Sequence, residues 1–317
     1  MTTRVFFATD IHGSETCLLK FISAAAFYKC TVLLMGGDIT GKMMVPIVRS
    51  SGATFEASFL EREWRADTET ELAELEKKIR RSGGYPYVCS REELVFLEAN
   101  PEEVKSVFTR VMVAETKRAV EIADARLAGK GVRCFITPGN DDEAAIDEAF
   151  AGSENIVNPE GQITQLDDDH EMISTGYANI TPWHCPRDEP EEALRGRIEA
   201  MAVRLQDPSS AIFNLHCPPY ASRLDDAPEL DETLTPVLAS GQLHIIPVGS
   251  TAVREAIEHW QPLVSVHGHI HESRGRTQIG RTQCFNPGSE YGAGYLRGLI
   301  LELDRKKGVK SYQFTSG

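Results

Sequence analysis

Five short apolar runs in this chain each end in residues that carry oxygen or imidazole donors, and that pairing limits the possible folds more than any other feature. Arg4 to Thr9 (RVFFAT) runs into Asp10-Ile11-His12, and Thr31 to Met35 (TVLLM) into Gly36-Gly37-Asp38. Arg133 to Thr137 (RCFIT) leads to Gly139-Asn140-Asp141, Ala211 to Leu215 (AIFNL) to His216, and Leu263 to Val266 (LVSV) to Gly268-His269-Ile270-His271. Such runs read as buried strands, and Met172 to Thr175 adds another. Glu15 to Tyr28 reads as a helix between the first two, giving a β-α-β opening. An open α/β sheet binds ligands beyond the carboxyl ends of its strands, which is where the donors fall. At the other end of the chain, Thr282 to Phe285, Leu296 to Leu303 and Val309 to Phe314 are close-set and separated by Gly and Asn-Pro turns. That spacing predicts antiparallel pairing and a second sheet.

A chain of 317 residues can form one large α/β domain or two ordinary ones. It shows no internal repeat or low-complexity linker, so a single domain over 1–317 is expected, with 42–130 as a helical insertion. Glu56 to Arg81 and Pro101 to Leu127 are long, charged and helix-forming, with a break at Ser82-Gly83-Gly84-Tyr85-Pro86. Phe59, Leu60, Trp64, Leu72, Leu75 and Ile79 approximate a helical stripe that would pack on the body or on another subunit. Lying between Asp38 and Asn140, the insertion should emerge at the rim of the cleft, as a cap or an oligomer contact.

In Asp10-x-His12 two donors would point the same way along an extended segment, and His269-x-His271 repeats the spacing. Glycines before Asp38, Asn140 and His269 let the backbone approach a ligand closely. Asp10, His12, Asp38, Asn140, His216, His269 and His271 mix oxygen and imidazole donors, which suits Mn, Fe, Co, Ni or Zn better than Ca or Mg alone. The set is too large for one ordinary site. Two ions ~3.5–4 Å apart sharing a carboxylate would use it economically and make a bridging hydroxide at neutral pH. Without metal, these would be many buried polar groups left unsatisfied.

Asp10-x-His12, Gly37-Asp38, Gly139-Asn140, His216 and Gly268-His269-x-His271, in that order, resemble the calcineurin-like metallophosphoesterase superfamily. The resemblance implies a four-layer α/β/β/α sandwich of two mixed sheets. It implies that Asp10, His12 and His271 hold the first metal, that Asn140, His216 and His269 hold the second, and that Asp38 bridges them. Thr181-Pro182-Trp183, His216-Cys217-Pro218-Pro219-Tyr220, Gly249-Ser250 and Asn286-Pro287-Gly288-Ser289 are similar to the branch related to Icc cyclic-nucleotide phosphodiesterases. The function implied is metal-dependent hydrolysis of a phosphate ester, with Asp38, Asn140 and His216 organising the reaction and the Icc-like wording favouring a diester. A binding scaffold for a protein partner is the alternative.

Two positions depart from the family. Many members place a histidine after the motif asparagine and orient it with an aspartate three residues beyond the bridging one; this chain has Asp141 and Gly41 there. Asp141 is a candidate acid or an orienting residue. General-acid assistance contributes ~10²–10⁴-fold, so losing it need not abolish an enzyme in which metals supply nucleophile and charge.

His184 is the best spare imidazole for the cleft, and Arg223 a candidate phosphate clamp or an ordinary loop arginine. Gly249-Ser250-Thr251 opens a helical pattern and could hold an anion or simply cap it. His170, His244 and His259 are expected to be structural, and His267 stays unassigned. A formal charge of −14, from 33 basic and 47 acidic side chains, disfavours long nucleic acid and a nuclease reading but not a small phosphorylated substrate held by metal ions. Seven scattered cysteines without a C-x-x-C pair favour reduced thiols. Cys30 and Cys134 read as core residues, while Cys185 and Cys217, each after a histidine, are left open. The N-terminal apolar run is too short for a signal peptide and no run reaches the ~20 residues of a membrane helix, so a cytoplasmic location is expected.

Overall fold

Alternation along the central strands decides the layering. In the strand Thr2–Ala8, Val5 and Phe7 join a core with residues of a second sheet, while Phe6 and Ala8 face helices on the other side. Val32–Met35 repeats this, with Val32 and Leu34 inward and Leu33 and Met35 outward. Both faces of each strand are covered, so the runs are apolar throughout.

The computed structural model describes residues 2–50, 52, 54–304 and 308–317. Two six-stranded sheets form the body. The first runs in the order Gly308–Ser316, Arg297–Asp304, Thr2–Ala8, Val32–Met35, Arg133–Ile136, Ile156–Val157. The second runs Gly275–Ile279, Thr282–Asn286, Val264–Val266, Ile212–Leu215, Glu171–Thr175, Ile163–Gln165. Both are mixed. Thr2–Ala8 pairs parallel with Val32–Met35 and antiparallel with Arg297–Asp304, while Thr282–Asn286 pairs parallel with Val264–Val266 and antiparallel with Gly275–Ile279. The expected terminal antiparallel pairing is therefore divided between the sheets.

Helices Glu15–Phe27 and Pro101–Leu127 pack on the outer face of the first sheet, around Phe21, Ile22, Val120, Ala123 and Leu127. Glu191–Ala202 and Thr251–Trp260 cover the second sheet through Leu194, Ile198, Val253 and Ile257. The result is the α/β/β/α sandwich expected from the sequence. Each fully buried Phe or Leu of these layers contributes about 1.5–3 kcal/mol by removal from water. Cys30 and Cys134 lie in the outer core, and all seven cysteines are free thiols. Among the described residues, no helix is long and apolar enough to cross a membrane.

The insertion is not purely helical. Its first half is a four-stranded sheet, ordered Arg62–Ala66, Phe55–Phe59, Met43–Arg49, Gly84–Ser90, with helix Glu69–Arg81 packed on it through Leu72, Leu75 and Ile79. The supposed helical stripe over Glu56 to Arg81 merged two periods. Phe55, Ala57 and Phe59 alternate as a half-buried strand, and Leu60 and Glu61 turn the chain with φ of 53° and 58°. That hairpin turn carries no glycine to announce it. Pro101–Leu127 is the helix expected, and Arg91–Ala99 precedes it.

Candidate metal centre

The turns that follow the strands place the donors. Asp10 and His12 do not lie on an extended segment. They take φ of 53° and 40°, and Asp38 and His269 take 50° and 65°. Non-glycine residues hold such conformations only when their surroundings impose them, at a cost of about 1–3 kcal/mol each, and they cluster at functional sites. Here the Asp10 and His12 amides donate to the carbonyls of Gly37 and Asp38 at 2.9 and 3.0 Å, zipping two strand-end loops together. Gly139 is required, because a Cβ there would stand 2.0 Å from Asp38 Oδ1; one on Gly268 would stand 2.4 Å from Asp10 Oδ2.

Two overlapping groups of side chains result, each able to hold a metal ion: Asp10, His12, Asp38 and His271, and Asp38, His216 and His269. Asp38 belongs to both. Its Oδ2 lies 3.7 Å from His12 Nε2, and its Oδ1 lies 3.3 Å from His216 Nε2. His12 and His271 bring their Nε2 atoms within 3.1 Å of each other, and His271 Nε2 is 3.2 Å from Asp10 Oδ1. His216 donates from Nδ1 to the Gly36 carbonyl at 2.9 Å, leaving Nε2 buried without a hydrogen bond. Asn140 donates from Nδ2 to Asp188 at 2.9 Å, leaving its Oδ1 in the same state. A buried polar atom without a partner costs about 1–3 kcal/mol, so two such atoms beside paired carboxylates fit cation ligands better than structural residues.

The charges agree. Burial opposes ionisation of Asp10 and Asp38, yet His271 and His216 hold Asp10 at about 2 and His216 and His12 hold Asp38 well below the carboxylate range. Burial likewise disfavours a charged His216, but Asp38 and Asp10 raise it to about 9. His269, buried and beside His216, falls to about 4. A cation entering this cluster would displace the proton that the two carboxylates hold on His216.

Supporting contacts involve further motif residues. Thr9 donates to Asp10 Oδ2 at 2.6 Å, and Ser289 donates to the Asp10 carbonyl at 2.7 Å. Asn286 holds the Gly268 and Ile270 carbonyls at 3.2 and 2.9 Å. The sequence reading passed over Asp142, although it adjoins Asp141. Its buried carboxylate accepts from the amides of Ile39, Thr40 and Gly139 at 3.0, 2.9 and 2.6 Å, tying the Asp38 loop to the Asn140 loop. Burial and the nearby Asp38 push its pKa to about 6. Asp188 was missed as well: no local pattern marks it, and its second oxygen accepts from Thr181 and Cys185 amides, both at 2.9 Å.

The other singled-out residues divide. The Asp141 amide donates to Asp38 Oδ1 at 3.1 Å, while its carboxylate pairs with Lys42 and lies 3.9 Å from His12 Nδ1. His184 and Arg223 are exposed on loops with φ of 50° and 66°, and neither belongs to the metal-binding groups. The helix after Ser250 is capped from within: Ser250 accepts from the Val253 amide, and Glu191 accepts from Ser250 Oγ and from the amides of Thr251 and Ala252. That carboxylate occupies the place an external anion would take. His170 pairs with Asp167 at 2.8 Å, His244 with Glu229 at 2.5 Å, and His259 stacks edge-on against Trp260. His267 donates to the Leu215 carbonyl at 2.8 Å, and burial drops it to about 4. Cys217 is buried and donates to Asn179 Oδ1 at 2.9 Å, and Cys185, half-buried, is pushed to about 12 by burial and the nearby Asp141.

No protein-family model matches the chain. An uncharacterized protein of Methanocaldococcus jannaschii is 30% identical over 154 residues, covering 47% of this chain and 61% of that protein. The match thus spans less than two thirds of that relative. The crystal structure of TT1561 of Thermus thermophilus aligns over 100% of this chain and 99% of its own, with a TM-score of 0.55 at 13% identity. Another crystal structure aligns over 99% of both chains, with a TM-score of 0.56 at 17% identity. These likenesses extend over the whole chain and show a shared fold.

Proposed function

We propose that this chain is a calcineurin-like metallophosphoesterase, a metal-dependent hydrolase of phosphoric esters. Asp10, His12 and His271 hold one divalent transition-metal ion, Asn140, His216 and His269 hold a second, and Asp38 spans the two. The observation that carries this reading is the membership of Asp38 in both donor groups, with one oxygen toward His12 and the other toward His216.

A pair of such ions supplies Lewis-acid charge for a phosphoryl oxygen and ionises a water at neutral pH. The protein's own contribution is arrangement. Asp10 and Asp38 balance the cationic charge, and the Gly36 carbonyl and Asp188 fix the tautomer of His216 and the rotation of Asn140. Strained turns at Asp10, His12, Asp38 and His269 keep the donors convergent before any ester binds. The donor chemistry admits Mn, Fe, Co, Ni or Zn. The substrate is a small phosphorylated molecule, with a diester favoured by the Icc-like motifs; a charge of −14 works against a long nucleic acid. The insertion, which leaves the body just after Asp38, acts as a cap or as a contact between copies.

Metal analysis together with rates on matched aryl phosphate monoesters and diesters tests the proposal. Two ions per chain and metal-dependent hydrolysis are expected, and Asp38→Asn should reduce turnover by roughly 10²–10³-fold or more. Near-normal turnover of Asp38→Asn with both ions bound would refute it. A second reading, a metal-binding scaffold for a protein partner, draws on Gly41 and Asp141 standing where the family's dyad would be. Two bound ions without hydrolysis of any simple ester would favour it.

A further inference from the structure

The rim of the cluster carries a cation that no motif accounts for. Lys42 begins the insertion, and its ammonium rests on the Asp141 carboxylate, whose Oδ2 lies 3.9 Å from His12 Nδ1. The Lys42 side chain is 56% exposed, against 1% for His12 and 5% for Asp38, so it sits at the solvent side of the donors. Its charge is felt at His12 and His271, and Asp38 and Tyr291 act on it in turn. Tyr291 completes this edge, its ring 4.6 Å from His12 and 5.9 Å from His271. Among the described residues, the ion pairs and hydrogen bonds put no arginine on the Asp10, His12, Asp38, His271 group.

An isolated carboxylate at the mouth of a phosphate site would repel the substrate. Paired with Lys42, Asp141 instead becomes an anchor. A lysine ammonium has three donors, so one can stay on Asp141 while the others reach an incoming oxyanion. Position 41 cannot supply the family's aspartate: a Cβ there would stand 2.3 Å from the Gly83 carbonyl oxygen, and the Gly41 amide already donates to Tyr85 Oη at 2.6 Å. The backbone closeness that excludes a side chain at 41 fixes where Lys42 departs.

We propose that Lys42, held over the His12 side of the cluster by Asp141, binds a non-bridging phosphate oxygen of the substrate and replaces the absent histidine–aspartate dyad as the protein's own cationic contact. This rests on the metallophosphoesterase reading of the site.

The test uses inorganic phosphate as probe and zinc-loaded full-length protein. Calorimetric titration should show phosphate binding weakened roughly 10- to 100-fold in Lys42→Met with zinc content unchanged, the scale of a charge-assisted hydrogen bond, and largely kept in Lys42→Arg. In protein labelled with ¹³C at the lysine ε-carbon, the resonance that Lys42→Arg removes should shift as phosphate is added to wild type. Asp141→Asn should weaken phosphate binding less than Lys42→Met, because the asparagine oxygen still accepts from the ammonium while the cation itself is kept. Unchanged phosphate affinity in Lys42→Met, an unmoved resonance at saturating phosphate, or equal losses in Asp141→Asn and Lys42→Met would each overturn the assignment. Failure to take up zinc would overturn the metallophosphoesterase reading and this one together. A wild type that hydrolyses esters, with KM and kcat unchanged in Lys42→Met, would overturn the role of Lys42 alone.

Discussion

Asp188 Oδ1 accepts the Asn140 side-chain amide at 2.9 Å, across 48 residues of sequence, and leaves the Asn140 Oδ1 atom buried without a hydrogen bond. The same carboxylate gathers the loop from Thr181 to Cys185. If Asn140 is a metal ligand, as proposed, removing Asp188 frees that ligand to rotate and a loop to open.

Asp188→Ala should therefore lower affinity for the second ion by roughly 10–100-fold, the usual scale for loss of a group that orients a ligand, while the first ion stays bound. Metal titration by competition with a chromophoric chelator reads both affinities. Equal affinities in variant and wild type would show that Asn140 needs no such support.

Metal removal should destabilise the fold. The His216 Nε2 and Asn140 Oδ1 atoms are buried without hydrogen bonds, and paired carboxylates face each other. Ions bound by the native state alone add RT ln(1 + [L]/Kd), about 2.7 kcal/mol at a hundredfold excess over Kd. Calorimetric scans with chelator and with added manganese or zinc should separate by several degrees, and coincident scans would count against a built metal site.

Introducing the histidine–aspartate dyad of the calcineurin-like metallophosphoesterases should fail for steric reasons. With the Gly83 carbonyl oxygen 2.3 Å from a Cβ at position 41, Gly41→Asp must push the Gly83 segment away, at a cost of about 1–3 kcal/mol. Urea unfolding of Gly41→Asp, alone and with Asp141→His, measures that cost. Wild-type stability together with a gain in activity would show that the segment yields easily.

Acid stability should depend on Asp167. Burial opposes its charge, but hydrogen bonds from His170, Thr3 and the Asp169 amide prevail and lower its pKa from 3.8 to about 2. The contribution is full above the unfolded value near 4 and is lost as pH falls through about 2. Discounted for partial exposure, it stabilises by about 1–2 kcal/mol at pH 7. Asp167→Asn should be less stable than wild type at pH 7, and the two should converge by pH 2, as read from urea midpoints.

The identities and chain order of the candidate donors are local properties and are legible in the sequence itself. Strand-ending Asp10, Asp38, Asn140, His216 and His269 follow apolar runs whose period is visible within a few residues, and burial on both faces makes those runs unmistakable. The Phe55–Phe59 and Arg62–Ala66 hairpin looks helical in sequence because its strands are short and charged and its turn lacks glycine, so its Phe59, Leu60 and Trp64 fall into a false helical stripe with Leu72, Leu75 and Ile79. What only the tertiary structure decided are pairings between distant segments: Lys42 with Asp141, Asp142 with the Thr40 loop, Asp188 with Asn140, Gly41 against Gly83. Each depends on how two loops approach across the sandwich. A lone Asp or Lys has no period and no required neighbour in sequence, so its partner is fixed by the packing of sheets and insertion.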